Sequence, residues 1–352
     1  MSADQFTGWV GLDAKSVEGN LVKTTFTPKT WTEDDIDIKI SHCGVCASDL
    51  HTLRSGWGPS DYPVVVGHEI IGTVTRKGAN VKHLELGDRV GVGAQSYSCL
   101  KDDCYECSHD NEPYCSERVF TYDSKFADGS TSYGGYALEG RYPASFAFKI
   151  PETLSSEVAA PMLCGGITVY SPLKRYGAKP GATVGIVGIG GLGHFGILYA
   201  RALGADKVYA ISRSKAKEND VKALGGDGIL ASKEENWTQG WTRKFDLIVS
   251  TANNADLPIL DYLSLLKPGG KFVQVGLPEE PIPHFPFGPL IQNNVSLIGS
   301  LLGSRSEITE MLNLSAEKSV KSWVEPRPLD DVNQVILDME AGKARYRYVL
   351  YN

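Results

Sequence analysis

The 352-residue sequence has no long hydrophobic run, no block of basic residues, no internal repeat and no low-complexity tract. Its longest apolar stretch, Thr183 to Ala200, carries six glycines and a histidine. It therefore reads as strand, turn and helix, and a membrane partner is not expected. Asp and Glu (42) outnumber Lys and Arg (35), for a formal charge of -7. The cations are scattered, so no stripe exists to track phosphates and nucleic acid is excluded as a partner. The amino-terminal MSADQFTGWVGLD lacks both the cationic start and the apolar core of a secretory signal. A cytoplasmic, reducing setting is expected, where seven cysteines are better explained by metal than by disulfides.

What is present is ordinary for a soluble globular chain: 42% hydrophobic and 22% charged residues, over a length that implies two domains. Residues 1–152 are rich in Gly, Pro and β-branched runs such as Ile36 to Ile40, Val64 to Val66 and Arg89 to Val92. They predict short strands in a partly closed sheet system. From 153 to about 300, apolar runs (Thr183 to Val187, Lys207 to Ile211, Phe245 to Ser250, Lys271 to Val275, Val295 to Ile298) alternate with helix-length segments. That alternation predicts a parallel α/β sheet. Two amphipathic helices, Ser306 to Lys318 and Leu329 to Glu340, and a strand Tyr346 to Leu350 complete the chain.

Four cysteines, Cys99, Cys104, Cys107 and Cys115, follow the spacing Cys-x4-Cys-x2-Cys-x7-Cys. Four thiolates around one ion is what a closed, structural zinc site requires. Two disulfides or four incidental thiols are the alternatives, but the polar filling (KDD, YE, SHDNEPY) gives these side chains no core to join. The four-residue first gap is longer than usual and singles out Cys99.

Gly188-Ile-Gly190-Gly191-Leu192-Gly193 follows one predicted strand and opens a helix from His194 to Leu203. In that context G-x-G-x-x-G reads as a pyrophosphate-binding turn, with the bare alternative a glycine-rich packing turn. The end of the next strand would carry an acid in an NAD enzyme. Here it reads Ser212-Arg213-Ser214-Lys215-Ala216-Lys217, with no acid before Glu218. Hydroxyls and cations at Ser212, Arg213, Ser214 and Lys217 favour a 2'-phosphate, hence NADP(H).

A second set of metal donors is scattered: Cys43 and Cys46 in GVCASDLH, His68-Glu69 in VVVGHE, and Cys164 in LCGGIT. Two thiolates and an imidazole suit a catalytic zinc with an open position. Cys43-x-x-Cys46 could instead be a redox pair, His68 a core histidine, and Cys164 a small buried hydrophobe.

Jointly, GVCASDLH, YPVVVGHE, VGVGAQ, NEPYC, GGYA, LCGGITVYSPL, GIVGIGGLGHFG, ISRS and RYRYVL resemble the zinc-dependent medium-chain dehydrogenase/reductases, cinnamyl alcohol dehydrogenase branch, especially fungal NADP(H)-dependent broad-specificity members. The resemblance implies an α/β fold. A GroES-like β-rich catalytic domain would span 1–152 plus 302–352, and a Rossmann doubly wound parallel-sheet domain 153–301. It implies two zinc ions per chain, Cys46, His68 and Cys164 as catalytic ligands with Glu69 beside them, and no metal role for Cys43. Ser48 resembles the proton-passing hydroxyl and His51 its outlet to solvent. Thr168, Leu301 and Arg347 resemble cofactor contacts, and Trp57, Gln95, Leu301 and Leu302 fall in regions that line the substrate pocket of relatives. The implied reaction is reversible hydride transfer between NADP(H) and primary alcohols or aldehydes, favouring reduction of aromatic, cinnamaldehyde-type and medium-chain aliphatic aldehydes, by a homodimer. Polyol or secondary-alcohol oxidation, conjugate reduction and a non-catalytic nucleotide-binding module are the alternatives.

Overall fold

The computed structural model describes residues 4–254, 256–281 and 285–352. Its contacts divide the chain into two units, one running to Cys164 and resuming at Ser304–Asn352, the other Gly165–Gly303. Among the described residues no helix is long and apolar enough to cross a membrane.

The first unit is built on a seven-stranded sheet. Its path runs Val324–Pro328, Arg347–Tyr351, Asp35–Gly44, Ile70–Lys77, Arg89–Val92 and Ala147–Lys149, with Glu139–Pro143 pairing Asp35–Gly44 off that path. Asp35–Gly44 reads DIDIKISHCG, an alternation that puts Ile36, Ile38 and Ile40 into the core. The paired carboxylates Asp35 and Asp37 are buried too, matched by Lys29 and Arg141. The terminal strand lies against Asp35–Gly44 in antiparallel register, Leu350 opposite Cys43. Residues more than three hundred apart in sequence thus share one sheet.

Val64 to Val66, expected as a strand, is instead a buried extended segment with one isolated bridge, Gly11 to Val64. Its hydrogen bonds go to a loop: Gly134 N donates to Val65 O (2.7 Å), Tyr136 N to Val66 O (3.0 Å) and Gly135 N to Gly67 O (2.7 Å). The motif GGYA therefore holds the segment that delivers His68.

The second unit is a six-stranded parallel sheet in the order Gly228–Ala231, Lys207–Ser212, Thr183–Val187, Phe245–Ser250, Leu266–Gln274, Ser296–Gly299. This is the doubly wound order with its switch beside the first strand, where nucleotides bind. Gly228–Ala231 was not among the strands expected from sequence, being only four residues long. The glycine-rich turn leaves Thr183–Val187 and enters the helix Gly193–Ala202. Gly188 has φ +81°, a conformation that glycine alone adopts at no cost. A Cβ on Gly193 would fall 1.8 Å from Gly188 O, whereas one on Gly190 would meet nothing within 4 Å.

Gly193→Ala is expected to destabilise this unit by about 2 kcal/mol or more. Gly190→Ala is expected to stay within about 0.5 kcal/mol of wild type. Urea midpoints check both, and equal midpoints would refute the steric argument.

Candidate functional site

Cys46, His68, Glu69 and Cys164 each place a ligand atom within 4.8 Å of the others, and all four are buried. Cys46 caps the helix Ala47–Leu53. His68 and Glu69 end the segment held by GGYA, and Cys164 follows the helical turn Ala160–Leu163. Asp49, three residues into the helix, locks two of these pieces together. Its Oδ2 accepts from Cys46 N (2.8 Å) and from the Tyr136 hydroxyl (2.9 Å), and its Oδ1 from Gly67 N (3.1 Å). Sequence reading passed over Asp49, although an acid three residues past a helix cap is a capping-box signal. Tyr122, stacked on the His68 imidazole at 5.1 Å and 7°, carried no such signal.

Glu69 is fully buried, and Arg347, 278 residues away, donates from Nη2 to both of its oxygens. Space for the carboxylate exists because residue 44 is glycine: a Cβ there would lie 2.0 Å from Glu69 Oε2. Burial pushes the Glu69 carboxyl up while Arg347 pulls it down, leaving it at about 7. Arg347, expected at the cofactor, is in this structure the buried partner of Glu69.

The donor set is one that a divalent cation fits. His68 Nε2 is buried with no hydrogen-bond partner, a costly state unless a ligand meets it. The hydrogen bond from Cys164 holds Cys46 well below the usual thiol range, and Cys164 is pushed up in return by keeping the shared proton and by burial. Burial alone would lower His68, but Asp49, Cys46 and Glu69 outweigh it and raise the imidazole to about 9. A set whose imidazole and one thiol hold their protons this firmly binds a metal in competition with protons. Cys43 takes no part in this set. Burial pushes its thiol far up, and its sulfur fills space that a Cβ on Gly67 or Gly135 would claim. Cys43 is thus packed as a small buried side chain, while Cys46 belongs to the ligand set.

Cys99, Cys104, Cys107 and Cys115 form the second cluster. Sulfur separations are 3.7 Å (Cys99 to Cys107), 3.9 Å (Cys104 to Cys115) and 3.6 Å (Cys115 to Cys99). Disulfides would require about 2.05 Å. A tetrahedron of zinc–sulfur bonds of about 2.3 Å has edges of about 3.8 Å. The longer first gap closes through Leu100 at φ +49°, so Cys99 sits with the others. Gln95, expected at a pocket wall, braces this lobe, its amide nitrogen donating to Tyr97 O (3.0 Å) and Glu112 O (2.9 Å).

Ser48 and His51, three apart on the helix Ala47–Leu53, share one face. Ser48 Oγ lies 3.6 Å from Cys46 Sγ. His51 is buried under Trp57, the rings 4.4 Å apart and 19° from parallel. In the second unit, Ser212 ends the strand beside the one that feeds the glycine-rich turn, in register Val187 to Ile211. Arg213 and Ser214 are exposed, and Lys217 Nζ reaches back 2.5 Å to Ile189 O in that turn. The first acid of the segment, Glu218, pairs with Lys222. Thr168 is buried on the helix Gly165–Tyr176, Leu301 is exposed, and Leu302 is buried at φ +52°.

These features have counterparts in known proteins. Residues 32–152 match the family model described as alcohol dehydrogenase GroES-like domain, and residues 191–317 that described as zinc-binding dehydrogenase. The chain belongs to the zinc-binding alcohol dehydrogenase family. Among its relatives, NADP-dependent alcohol dehydrogenase 6 of Saccharomyces cerevisiae is 44% identical over 338 residues, covering 94% of this chain and 92% of that protein. The solved cinnamyl alcohol dehydrogenase SbCAD4 of Sorghum bicolor superposes with a TM-score of 0.93 at 35% identity, over 99% of this chain and 98% of that one. A cinnamyl alcohol dehydrogenase of Helicobacter pylori, solved with NADP(H), gives 0.90 at 31% identity, with coverages of 99% and 98%.

Because zinc must displace protons from His68 and Cys164, its affinity for the buried set is expected to rise with pH, more steeply below about pH 9, where His68 also holds a proton, than above it, where Cys164 still does. Acidification has the opposite sign and expels the metal. Competition against a zinc-chelating dye across this range checks it, and a pH-independent constant would refute it.

Proposed function

We propose that this chain is an NADP(H)-dependent zinc alcohol dehydrogenase working chiefly as an aldehyde reductase on aromatic, cinnamaldehyde-type and medium-chain aliphatic aldehydes. The observation that carries the reading is the buried Cys46–His68–Cys164 set beside Glu69, in a chain that also has a phosphate-binding turn with no acid at the end of the next strand. The unit holding both cysteine clusters is read as the catalytic domain, and Gly165–Gly303 as the nucleotide-binding domain.

In this reading Cys46, His68 and Cys164 hold a catalytic zinc, with Glu69 as a fourth group kept in place by Arg347. Cys99, Cys104, Cys107 and Cys115 hold a structural one. When bound, zinc supplies Lewis acidity to a carbonyl oxygen and NADPH supplies the hydride. Ser48 passes a proton between the substrate oxygen and the relay that ends at His51, and His51 exchanges it with solvent. Gly188, Gly190, Gly191, Leu192 and Gly193 seat the pyrophosphate at a helix amino terminus. Ser212, Arg213, Ser214 and Lys217 meet the 2'-phosphate, and Thr168, Leu301 and Arg347 are read as further cofactor contacts.

A homodimer and a cytoplasmic setting complete the reading. Ser296–Gly299 ends the six-stranded order and has a sheet neighbour on one side. Leu297 on it is 40% exposed, and Phe287 and Ile291, just before it, are 71% and 79% exposed. An apolar edge of this kind suits a second copy pairing strand to strand. Seven unbridged cysteines support a reducing compartment.

Assaying an aldehyde panel with NADPH and NADH tests the function. NADPH is expected to be preferred, and Ser212→Asp to reverse or erase the preference by repelling the 2'-phosphate. An unmoved ratio of kcat/KM values would refute the cofactor assignment. Leu297→Asp is expected to convert dimer to monomer on gel filtration, and an unchanged elution volume would refute the edge interface.

A further inference from the structure

His194 is the second residue of the helix Gly193–Ala202 and is fully buried. Its Nδ1 lies 2.9 Å from Gly191 O. A carbonyl can only accept, so Nδ1 carries the proton. The neighbouring carbonyls of the turn are met by backbone: Gly190 O accepts from His194 N (3.1 Å) and Leu192 O from Gly196 N (3.0 Å). Between them, Gly191 O is taken by an imidazole. The ring is itself held, tilted against Phe195 at 4.3 Å.

We propose that His194 is a positioning residue for the cofactor, aiming the Leu192 N–H at the pyrophosphate by anchoring the Gly191 carbonyl. The physical reason is peptide planarity. In a trans peptide the C=O and N–H point in opposite directions. With the Gly191 carbonyl fixed forward onto His194, the N–H of the same peptide faces back out of the helix amino terminus, where an anion is favoured. Gly191 has no side chain to resist rotation of that peptide, so without the anchor its direction is free to drift. The sequence feature is the histidine directly after G-x-G-x-x-G, which the fingerprint itself does not require. The inference rests on the proposed dinucleotide reading and assigns a role within it to a residue outside the phosphate-binding glycines.

The test compares NADP+ with adenosine 2'-monophosphate, which lacks the pyrophosphate, by calorimetry. In His194→Asn the amide nitrogen stands near the place of Nδ1. In His194→Gln it stands near that of Nε2. The Gln variant is expected to bind NADP+ roughly tenfold more weakly, the worth of one hydrogen bond to a charged acceptor. The Asn variant is expected to stay close to wild type, and both to keep wild-type affinity for adenosine 2'-monophosphate. Leu192→Pro, at a residue with φ -88°, deletes the N–H itself and is expected to lose NADP+ by a similar factor. It serves as the reading should the Gln variant fail to fold.

Undiminished NADP+ binding by the Gln or Pro variant overturns the inference. Parallel loss of both ligands does so too, because it marks a merely structural role. A wild-type protein that binds neither NADP+ nor NAD+ overturns the dinucleotide reading itself. Wild-type binding with an indifferent Gln variant overturns this inference alone.

Discussion

Two sulfurs, an imidazole and a carboxylate crowded within 4.8 Å and cut off from water cannot all hold their metal-binding charge states without cations among them. The fold of the first unit answers that constraint. Arg347 supplies one permanent positive charge, donating to both oxygens of Glu69. The rest is supplied by protons on His68 and Cys164, or by the divalent ion that displaces them. Removing one member of a buried charge pair costs about 3–5 kcal/mol, so the terminal strand carrying Arg347 is as much part of this site as the residues nearer the metal.

Holding the donors there takes a scaffold of neutral and acidic hydrogen bonds. Asp49 ties the Cys46 turn to the Gly67 amide and to the Tyr136 hydroxyl. The Gly134 to Tyr136 amides fix the segment before His68. Residue 44 stays small so that the Glu69 carboxylate can lie against its backbone. The tetracysteine lobe is stiffened in the same manner, with Gln95 bridging the strand Gln95–Tyr97 to the turn at Glu112. Each brace acts on direction as well as position, which is what a metal with fixed bonding geometry demands.

The second unit solves a different problem by the same means. A phosphate needs amides that all face one way, and in the proposed reading the turn meets that need through a left-handed Gly188, a Gly193 pressed against Gly188 O, and the imidazole of His194 on Gly191 O. Ser212, Arg213, Ser214 and Lys217, proposed above to meet the distal phosphate, are local in sequence; Arg213 and Ser214 are exposed and the other two half-buried.

Chemistry that depends on residue type and short spacing was legible in the chain itself. The tetracysteine set, the glycine-rich turn, the acid-free strand end and most strands of the parallel sheet are of this kind, because local periodicity and ligand spacing carry them. Val64 to Val66 misled, since a buried apolar run looks alike whether its amides pair with a strand or with a loop. Gly228–Ala231 was too short to register. The Glu69–Arg347 pair, the three bonds to Asp49 and the inward turn of Cys43 came only with the tertiary structure. Those contacts join segments up to 278 residues apart, and no spacing rule reaches that far. The sequence determined which atoms were available to bind metal and phosphate; folding decided which of them face one another, because charge and hydrogen-bond partners are chosen by distance in space.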